Sequence, residues 1–250
     1  MKKKILIGLG FLLLIPMAAL VALFAMREPP DGPRVQVELG IVGVEAGGAY
    51  AWIVRTPHGA VLVDAGLDAS GAAILGELKS QGVEPGHVQA VLLTHGHPDH
   101  YAAATLFPKA EVCAGADDIT MMHGDGRHYS TFGKVMSAVM PLPKGPDAVT
   151  PLRGGEQLEF DGARFAVIAT PGHSPGSVMY LYKDVLFTGD SLMRKGDGVT
   201  IAPSLFSEDS AENRRSLKRL EPLSFDKIAD GHAGVTLNAK VKLARLLAGP

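Results

Sequence analysis

The sequence predicts an α+β four-layer αββα sandwich, in which two mixed β-sheets lie face to face and helices cover their outer faces. Two observations support this prediction. Short apolar, strand-like segments are concentrated in two parts of the chain, and each β-rich half is followed by segments with helical spacing of apolar residues. In both halves, polar residues flanked by glycine directly follow strand-like runs, as they do in loops at one end of a rigid sheet.

The first half contains five predicted strands and two predicted helices. In the first helix, residues 70–81, apolar residues recur at helical spacing, and Gly82 stands where a C-terminal cap belongs. A glycine-rich loop at 43–48 is expected to join the first two strands. The strands are predicted at 35–39, 50–56, 60–64, 88–94 and 110–114, and the second helix at 100–106.

The second half repeats this order of strands and then helices. Its helices are predicted at 209–220, where Asp209 followed by Glu212 resembles a capping box, and at 236–247. Between the halves, residues 115–150 are expected to be mainly loop, and their Met and aromatic side chains could cover a site. The strands of the second half are predicted at 157–160, 163–169, 177–183, 184–188 and 226–229. The Met and aromatic side chains of the loop between the halves, with its neighbouring His, are Met121, Met122, His128, Tyr129, Phe132 and Met136.

Composition and charge limit the classes of function. The chain has 250 residues, of which 46% are hydrophobic and 20% charged, as is usual for a globular protein. Outside the first 27 residues, which contain four basic residues and no acidic ones, 20 basic residues face 26 acidic ones. This acidic surplus gives no support for a nucleic-acid partner. Cys113 is the only cysteine, which excludes an intrachain disulfide and a site built from several thiolates.

Residues 1–27 are predicted to be an N-terminal membrane anchor or signal peptide. Three lysines precede residues 5–26, an uncharged run of 22 residues that is long enough to span a bilayer as a helix. The lysines favour a cytoplasmic N terminus, so the domain is expected outside the inner membrane, or secreted if the segment is cleaved. Residues 28–33 are predicted to be a stiff, solvated linker, and residues 34–250 the functional domain.

Residues 91–100 contain four side chains able to bind a metal. His95 and His97 follow an apolar strand and are two residues apart, so both point the same way if the backbone is extended. Pro98 ends the extension, and Asp99 and His100 should therefore point elsewhere, towards a second ion. Imidazole and carboxylate groups suit Zn²⁺, Fe²⁺ and Mn²⁺, so this stretch is interpreted as a metal-binding loop.

Three further candidate ligands follow strands in the second half. His173, Asp190 and His232 each have a glycine as the preceding neighbour, as expected where the backbone must bend to bring a short side chain to an ion. In the first half, Asp64 likewise ends the strand at 60–64. These residues extend the metal-binding loop into a possible site at the ends of several strands.

The motif Thr-His-x-His-x-Asp-His at 94–100, with the three downstream elements in order, resembles the metallo-β-lactamase superfamily over almost the whole domain. The resemblance implies that residues 34–250 form a hydrolase domain of this type. It implies one metal bound by His95, His97 and His173, and another by Asp99, His100 and His232. Asp190 would bridge both metals, and Asp64 would hold the ligand loop in place.

This ligand set predicts two Zn²⁺ per chain and hydrolysis of a small-molecule acyl substrate. Two divalent cations keep a net positive charge beside Asp99, Asp190 and a bridging hydroxide, so they can polarise a carbonyl and stabilise an oxyanion. The expected reaction is attack by that hydroxide on the acyl carbon of an ester, thioester or lactone. Asp99, Asp190 and Asp64 are the candidate catalytic residues, and no particular oligomeric state is predicted.

Three alternatives remain. One is a dioxygenase that uses a single Fe²⁺ to oxidise a thiol or persulfide, since such enzymes share much of the ligand set. Another is β-lactamase activity, although Asp190 stands where one large group of β-lactamases has a cysteine ligand. The third is a non-enzymatic tethered module, which an open mixed His/Asp site disfavours.

Several residues are candidate substrate contacts. Arg194 and Lys195 could bind a substrate carboxylate, and Tyr129 or Tyr180 could donate to a carbonyl oxygen, as in lactonases of this family. Ser174 and Ser191 adjoin ligands, but hydrogen bonding to the loops is their expected role.

Overall fold

The protein is represented by a computed structural model that describes residues 28–125, 130, 133–135, 138 and 141–249. Its strands form two large mixed sheets and one small hairpin, which confirms the predicted αββα sandwich. The first sheet has seven strands in sequential order, antiparallel in its first half and parallel in its second. They are β1 (Arg34–Glu38), β2 (Ile41–Glu45), β3 (Tyr50–Arg55), β4 (Ala60–Val63), β5 (Val88–Leu92), β6 (Glu111–Gly115) and β7 (Thr150–Leu152).

The second sheet has six strands and contains one parallel pair. The spatial order places the second-to-last strand of the chain beside the fourth strand of this sheet, and the last strand at the sheet edge. The second sheet consists of β8 (Gln157–Phe160), β9 (Ala163–Ala169), β10 (Val178–Tyr182), β11 (Val185–Gly189), β14 (Lys227–Asp230) and β15 (Val235–Thr236). The small hairpin is separate and consists of β12 (Met193–Lys195) and β13 (Gly198–Thr200).

Helices cover the outer faces of both sheets. Asp209 caps one of them as predicted, because its Oδ1 accepts a hydrogen bond from the Glu212 N–H at 2.8 Å. The α-helices are α1 (Ala72–Ser80), α2 (Pro98–Tyr101), α3 (Ile119–Met122), α4 (Ser210–Ser216) and α5 (Ala239–Ala248). Short 3₁₀ helices span Pro85–His87, Ala104–Leu106, Ala116–Asp118, Ser204–Phe206 and Leu217–Leu220.

Alternation of apolar side chains along the strands builds three layers of core. In β4, Val61 and Val63 face the second sheet, whereas Ala60 and Leu62 face the helices. Between the sheets, Trp52 stacks on Tyr50 with ring centroids 5.1 Å apart and approaches Phe187 of the opposite sheet at 6.2 Å. The Trp52 indole N–H also donates to the Asp230 carbonyl at 3.2 Å, which fixes the two sheets together close to the ends of their strands.

Parallel pairing brings the candidate ligands to one edge of the sandwich. β4 and β5 are parallel in the first sheet, and β11 and β14 are parallel in the second. The carboxyl ends of these strands therefore meet, and the loops that follow them carry the candidate ligands apart from His173, which follows β9. Backbone hydrogen bonds join the loops, as in Gly231 N–H to Gly189 O at 3.0 Å and Val178 N–H to Thr94 O at 2.8 Å.

Some local predictions are wrong. Residues 41–45, partly assigned to a glycine-rich loop, form β2, because Gly43 pairs with Trp52 as a normal strand position. The helix predicted at 100–106 is divided into α2 and the 3₁₀ turn Ala104–Leu106. Within the stretch 115–150, which is expected to be mainly loop, residues 133–135 and 138 are helical. The side chains of His128, Tyr129, Phe132 and Met136 lie outside the described residues.

The segment at 28–33 is largely exposed, as a solvated linker would be, but it is also hydrogen-bonded to the domain. Asp31 pairs with Arg194 and accepts a hydrogen bond from Val235 N–H at 2.8 Å. Its own N–H donates to Ala233 O at 3.0 Å, and the Tyr50 hydroxyl donates to Gly32 O at 2.6 Å. These bonds place the segment against the loop that carries His232. The boundary at residue 34 stays a prediction.

The predicted membrane localisation requires correction. Within the described part of the chain, each helix is too short or too polar to cross a bilayer. This finding contradicts the expectation of a domain tethered outside the inner membrane or exported, and that expectation is not retained. The predicted anchor or signal peptide, residues 1–27, lies outside the described residues.

Close packing of β2 against Trp52 gives a stability prediction. A Cβ on Gly43 would lie 2.6 Å from Trp52 Cε3, so Gly43→Ala should overpack the intersheet core and destabilise the protein by about 1–3 kcal/mol. The matched control is Gly76→Ala in α1, where a Cβ meets nothing within 4 Å and should stabilise by about 0.5–1 kcal/mol. Urea unfolding midpoints measure both changes. A Gly43→Ala protein as stable as the wild type would contradict this packing.

Candidate metal centre

Three histidines converge on one point at the edge of the sandwich. His173 Nε2 lies 3.2 Å from His95 Nε2 and 3.0 Å from His97 Nδ1. His97 has an extended backbone, with φ −78° and ψ 148°, but residues 94–96 form a bend, so the predicted extension does not cover the whole pair. The two imidazoles nevertheless reach the same point. We call His95, His97 and His173 the first triad. The sequence-based grouping of these residues matches their placement.

A second triad consists of Asp99, His100 and His232. Pro98 begins α2 and turns the chain, which places Asp99 and His100 beside His232. His100 still borders the first triad, because its ring centroid lies 4.0 Å from that of His95. Asp99 Oδ2 lies 3.6 Å from His232 Nε2 and 3.8 Å from His100 Nε2. In each triad, the nitrogen or oxygen atoms that could bind a metal lie within 4.8 Å of one another.

Asp190 lies between the two triads. Its Oδ1 is 3.4 Å from His100 Nε2, and its Oδ2 is 3.1 Å from His232 Nε2 and 3.7 Å from His173 Nε2. One carboxylate therefore contacts both groups of ligands. This is the placement that a bridging role requires.

Asp64 fixes the orientation of His100. Asp64 is buried, and its Oδ2 accepts a hydrogen bond from His100 Nδ1 at 2.9 Å, which leaves Nε2 facing the centre. Its Oδ1 accepts from Thr94 N–H at 2.8 Å and so holds the start of the ligand loop. Asp64 adopts a φ of 61°, which Asp tolerates better than most residues and which turns the side chain back towards that loop.

Three of the four remaining candidate histidines, His95, His173 and His232, are also oriented through their second nitrogens. His232 Nδ1 donates to Gly48 O at 2.7 Å, and His95 Nδ1 lies 3.1 Å from Thr94 Oγ1. His173 Nδ1 faces Ser207 Oγ at 3.4 Å. In all three residues the Nε2 atom is left to face the centre, which is how protein partners commonly set the orientation of metal-binding imidazoles.

Two glycines make this close approach possible. A Cβ on Gly231 would overlap Asp190 Oδ1 and lie 2.8 Å from His100 Cε1. Gly189 has a φ of 50°, and a Cβ there would lie 2.7 Å from Thr94 Cβ. The glycines that precede His232 and Asp190 are therefore required by packing at the centre, in agreement with the sequence-based reasoning.

Burial and neighbouring charge set the protonation of the ligands. Burial lowers the pKa of His95 well below its usual value and that of His173 to about 3, so both rings are neutral and can offer a lone pair. Burial raises the pKa of Asp190, but the imidazoles of His232 and His100 outweigh it and hold this pKa well below its usual range. Burial also lowers the pKa of His100 and His232, but neighbouring carboxylates, chiefly Asp64 and Asp190 respectively, outweigh it and raise both pKa values, so these two rings would lose a proton on binding a cation. Neutral imidazoles and ionised carboxylates are the donor forms that a divalent cation accepts.

Two buried atoms of the centre test whether a metal fits. His100 Nε2 and Asp190 Oδ1 face each other at 3.4 Å, and neither has a hydrogen-bond partner among the described residues. Leaving such an atom unsatisfied costs about 1–3 kcal/mol, and both atoms are ligand types that a divalent cation accepts. The clusters of His and Asp therefore fit metal ions.

Two predicted substrate contacts are wrong. Tyr180 is fully buried and its hydroxyl donates to Leu93 O at 2.7 Å, so it faces away from any substrate. The Arg194 guanidinium pairs with Asp31 and donates to the carbonyls of Pro29 and Ala233. Tyr129 lies outside the described residues. Ser174 hydrogen-bonds within its loop as predicted, to Ser177 Oγ at 2.7 Å.

Two buried acids near the centre are missing from the sequence-based set. Asp230 Oδ1 accepts hydrogen bonds from the N–H groups of His232 at 2.9 Å and Ala233 at 2.6 Å, which folds the loop around His232. Asp118 accepts hydrogen bonds from both loops of the first triad. Each follows or ends a strand at the same edge as Asp64, and this shared position is the signal that could have identified them.

Comparison with known proteins identifies the family. A sequence profile described as the metallo-beta-lactamase superfamily matches residues 44–232, which include all seven candidate ligands. The chain belongs to the metallo-β-lactamase superfamily. This confirms the predicted family and places the chain among the metallo-hydrolases of that superfamily.

Two curated relatives illustrate the range of the superfamily. The human metallo-beta-lactamase domain-containing protein 1 is 34% identical over 193 residues, which are 75% of this chain and 63% of that protein. Hydroxyacylglutathione hydrolase of Photobacterium profundum is 32% identical over 175 residues, which are 70% of this chain and 57% of the enzyme. The chain thus spans about three fifths of the length of these relatives.

Solved structures of the superfamily share the fold. A metallo-beta-lactamase family protein from Thermus thermophilus superposes with a TM-score of 0.68 at 23% identity, covering 85% of this chain and 80% of that one. The B3 metallo-beta-lactamase BLEG-1 gives a TM-score of 0.67 at 26% identity, covering 83% of this chain and 99% of that one. Both agree with the two-sheet sandwich.

The contacts of Asp64 give a prediction for metal binding. Asp64→Asn keeps the shape and tolerates the positive φ, but its amide cannot accept hydrogen bonds at both former oxygen positions. His100 would then lose its fixed orientation, and zinc affinity should fall by about 10–100-fold. Competition titration with a chromophoric chelator measures the affinity.

The matched control is Asp161→Asn. Asp161 also has a positive φ, 50°, but it lies in a turn where it pairs with His58. Zinc affinity should be unchanged in this variant. Equal affinities for both variants would show that Asp64 does not orient a ligand.

Proposed function

We propose that this metallo-hydrolase is a dinuclear zinc enzyme that hydrolyses the acyl group of a small ester, thioester or lactone. The observation that carries the proposal is the contact of Asp190 with both triads, through Oδ1 to His100 and Oδ2 to His232 and His173. A mononuclear enzyme does not need the second set of ligands. Two metals would be held by the first triad and the second triad, with Asp190 shared between them.

A bound pair of divalent cations would supply Lewis acidity, which lowers the pKa of water and polarises a carbonyl oxygen. The chain's own residues would position these ions and the reactants. The Asp99 side chain is 30% exposed, against 11% for Asp190, so Asp99 is the more accessible to water and substrate. Asp99 would orient the attacking water, while Asp64 would keep His100 in its ligand orientation.

The side chains near the centre support water as the nucleophile. Cys113 is buried in β6, and burial raises the pKa of its thiol to about 12, so it carries no thiolate at neutral pH. The Ser174 hydroxyl is buried and hydrogen-bonds to Asp118 at 2.5 Å and to Ser177. Neither group is free to attack a substrate, which favours direct hydrolysis without a covalent intermediate.

The proposed substrate class draws on the relatives together with the ligand set. One relative is named a hydroxyacylglutathione hydrolase, and another solved structure is named a B3 metallo-beta-lactamase. Thioesters and lactams share an acyl carbon open to attack by water, so both names are compatible with acyl hydrolysis here. The proposal favours esters, thioesters and lactones, because these carry better leaving groups than an unstrained amide.

The test is a hydrolysis panel of lactones, thioesters, aryl esters and β-lactams, run with the zinc-loaded protein. His97→Ala and Asp190→Ala should each lower kcat/KM by more than about 100-fold, since each removes a metal ligand rather than an outer partner. The control is Asp147→Ala, whose side chain is 81% exposed and which should keep full activity.

Metal analysis separates this proposal from its alternatives. The preferred function predicts nearly two zinc ions per chain. One iron per chain, with oxygen consumption on a thiol or persulfide, would instead support a dioxygenase. Turnover of a β-lactam alone would replace the proposed substrate class with that of a β-lactamase.

A further inference from the structure

We propose that Asp118 is a positioning residue that sets the geometry of the first triad by binding both of its loops at once. It is not among the candidate metal ligands, and no role follows for it from the sequence motif. The inference deepens the proposed function and rests on it in one respect, namely that the first triad binds a metal.

The contacts of Asp118 span the two loops. Its Oδ2 accepts a hydrogen bond from Gly96 N–H at 2.7 Å, and Gly96 lies between His95 and His97. The same oxygen accepts from Ser174 Oγ at 2.5 Å, and Ser174 directly follows His173. Oδ1 accepts from Gly176 N–H at 2.6 Å. One carboxylate therefore joins the loop of the first two histidines to the loop of the third.

The packing around Asp118 shows that this contact is built into the fold. A Cβ on Gly96 would lie 2.9 Å from Asp118 O, and one on Gly176 would lie 2.6 Å from Asp118 N. Glycine at both places lets the loops close onto the Asp118 backbone and side chain. Gly115 and Gly176 are equally close, since a Cβ on Gly115 would lie 2.7 Å from Gly176 C. The segments that contain Gly96, Gly115–Asp118 and Gly176 are therefore packed so closely that none of them can move relative to the others without a steric clash.

The hydrogen-bond network extends behind His173. Ser177 Oγ accepts from Ser174 N–H at 3.0 Å and contacts Ser174 Oγ at 2.7 Å, so the turn after His173 is closed on itself as well as on Asp118. Asp118 is fully buried, and charge-assisted hydrogen bonds of this kind are short and directional. Rotation of the His173 loop relative to His95 and His97 would break several of them together.

Charge gives a second reason for an acid at this place. The second triad includes the carboxylate of Asp99, whereas the first triad consists only of imidazoles. Asp118 brings a negative charge next to these imidazoles without occupying a coordination position. Its hydrogen bonds from Gly96, Ser174 and Gly176 reach the loops rather than the imidazoles, so it acts on the ligands by limiting the movement of their loops.

The test uses Asp118→Asn, which keeps the side-chain shape. The NH₂ group of Asn replaces one of the two carboxylate oxygens and cannot accept a hydrogen bond from an N–H group. At the Oδ1 position it would face Gly176 N–H, and at the Oδ2 position it would face Gly96 N–H, so at least one hydrogen bond is lost in either orientation. Asp117→Asn is the matched control, because Asp117 is the exposed neighbour in the same 3₁₀ turn. Zinc affinity is measured by chelator competition, and the cobalt-substituted proteins are compared by their visible absorption spectra.

A double-mutant cycle assigns the effect to one triad. In a His232→Ala background, the remaining metal is held by the first triad, and adding Asp118→Asn should lower its affinity by about 10–100-fold and alter the cobalt spectrum. In a His97→Ala background, the remaining metal is held by the second triad, and the same change should leave its affinity and spectrum unaltered. Asp117→Asn should have no effect in either background.

The outcomes are distinct. The inference would be overturned if adding Asp118→Asn to His232→Ala left the zinc affinity unchanged. It would also be overturned if Asp118→Asn lowered the zinc affinity equally in both backgrounds, since that result would show that Asp118 serves only the fold. Both results leave the proposed function intact. A wild-type chain that binds no zinc would overturn the proposed function and the inference together.

Discussion

The structure depends on bringing five imidazoles and two carboxylates to one partly buried edge of a sandwich, where ionised groups are costly unless paired. Burial of these polar side chains is tolerated because most of them form a hydrogen bond or ion pair with another residue of the protein, commonly through the atom that points away from the centre. Asp64 holds His100, the Gly48 carbonyl holds His232, and Asp190 lies between the triads. Among the described residues of the centre, the atoms left without a hydrogen-bond partner are His100 Nε2 and Asp190 Oδ1, which face each other in the middle.

The rest of the fold can be understood as the support for this edge. Two parallel strand pairs, one in each sheet, direct their carboxyl ends to it, and the Trp52 contact with Asp230 joins the sheets close by. The ligand loops themselves are short and contain glycine where another backbone or a carboxylate approaches. A rigid sheet pair with short loops limits movement of the ligands, which is the property a metal centre with several protein ligands requires.

The candidate ligands could be selected from the sequence because their signals are local, and the structure brings them together. His95, His97, Asp99 and His100 lie within six residues, and the three downstream ligands each follow a strand and a glycine. Asp64 was found in the same way. The position of Asp118 after a strand could have marked it as a candidate, but its contacts could not be predicted, since its partners are 22, 56 and 58 residues away and only the folded chain brings them together. For Arg194 the reverse holds: two adjacent cations suggested a substrate site, but tertiary contacts with Asp31 and Ala233 occupy the guanidinium.

The central claim is that one edge of the sandwich holds two metals, and anomalous X-ray scattering from crystals of the zinc-loaded protein tests it most directly. The account predicts two peaks at the zinc absorption edge. One should lie among His95, His97 and His173 and the other among Asp99, His100 and His232, with Asp190 in contact with both. A single peak at full zinc loading, or a peak away from Asp190, would contradict it.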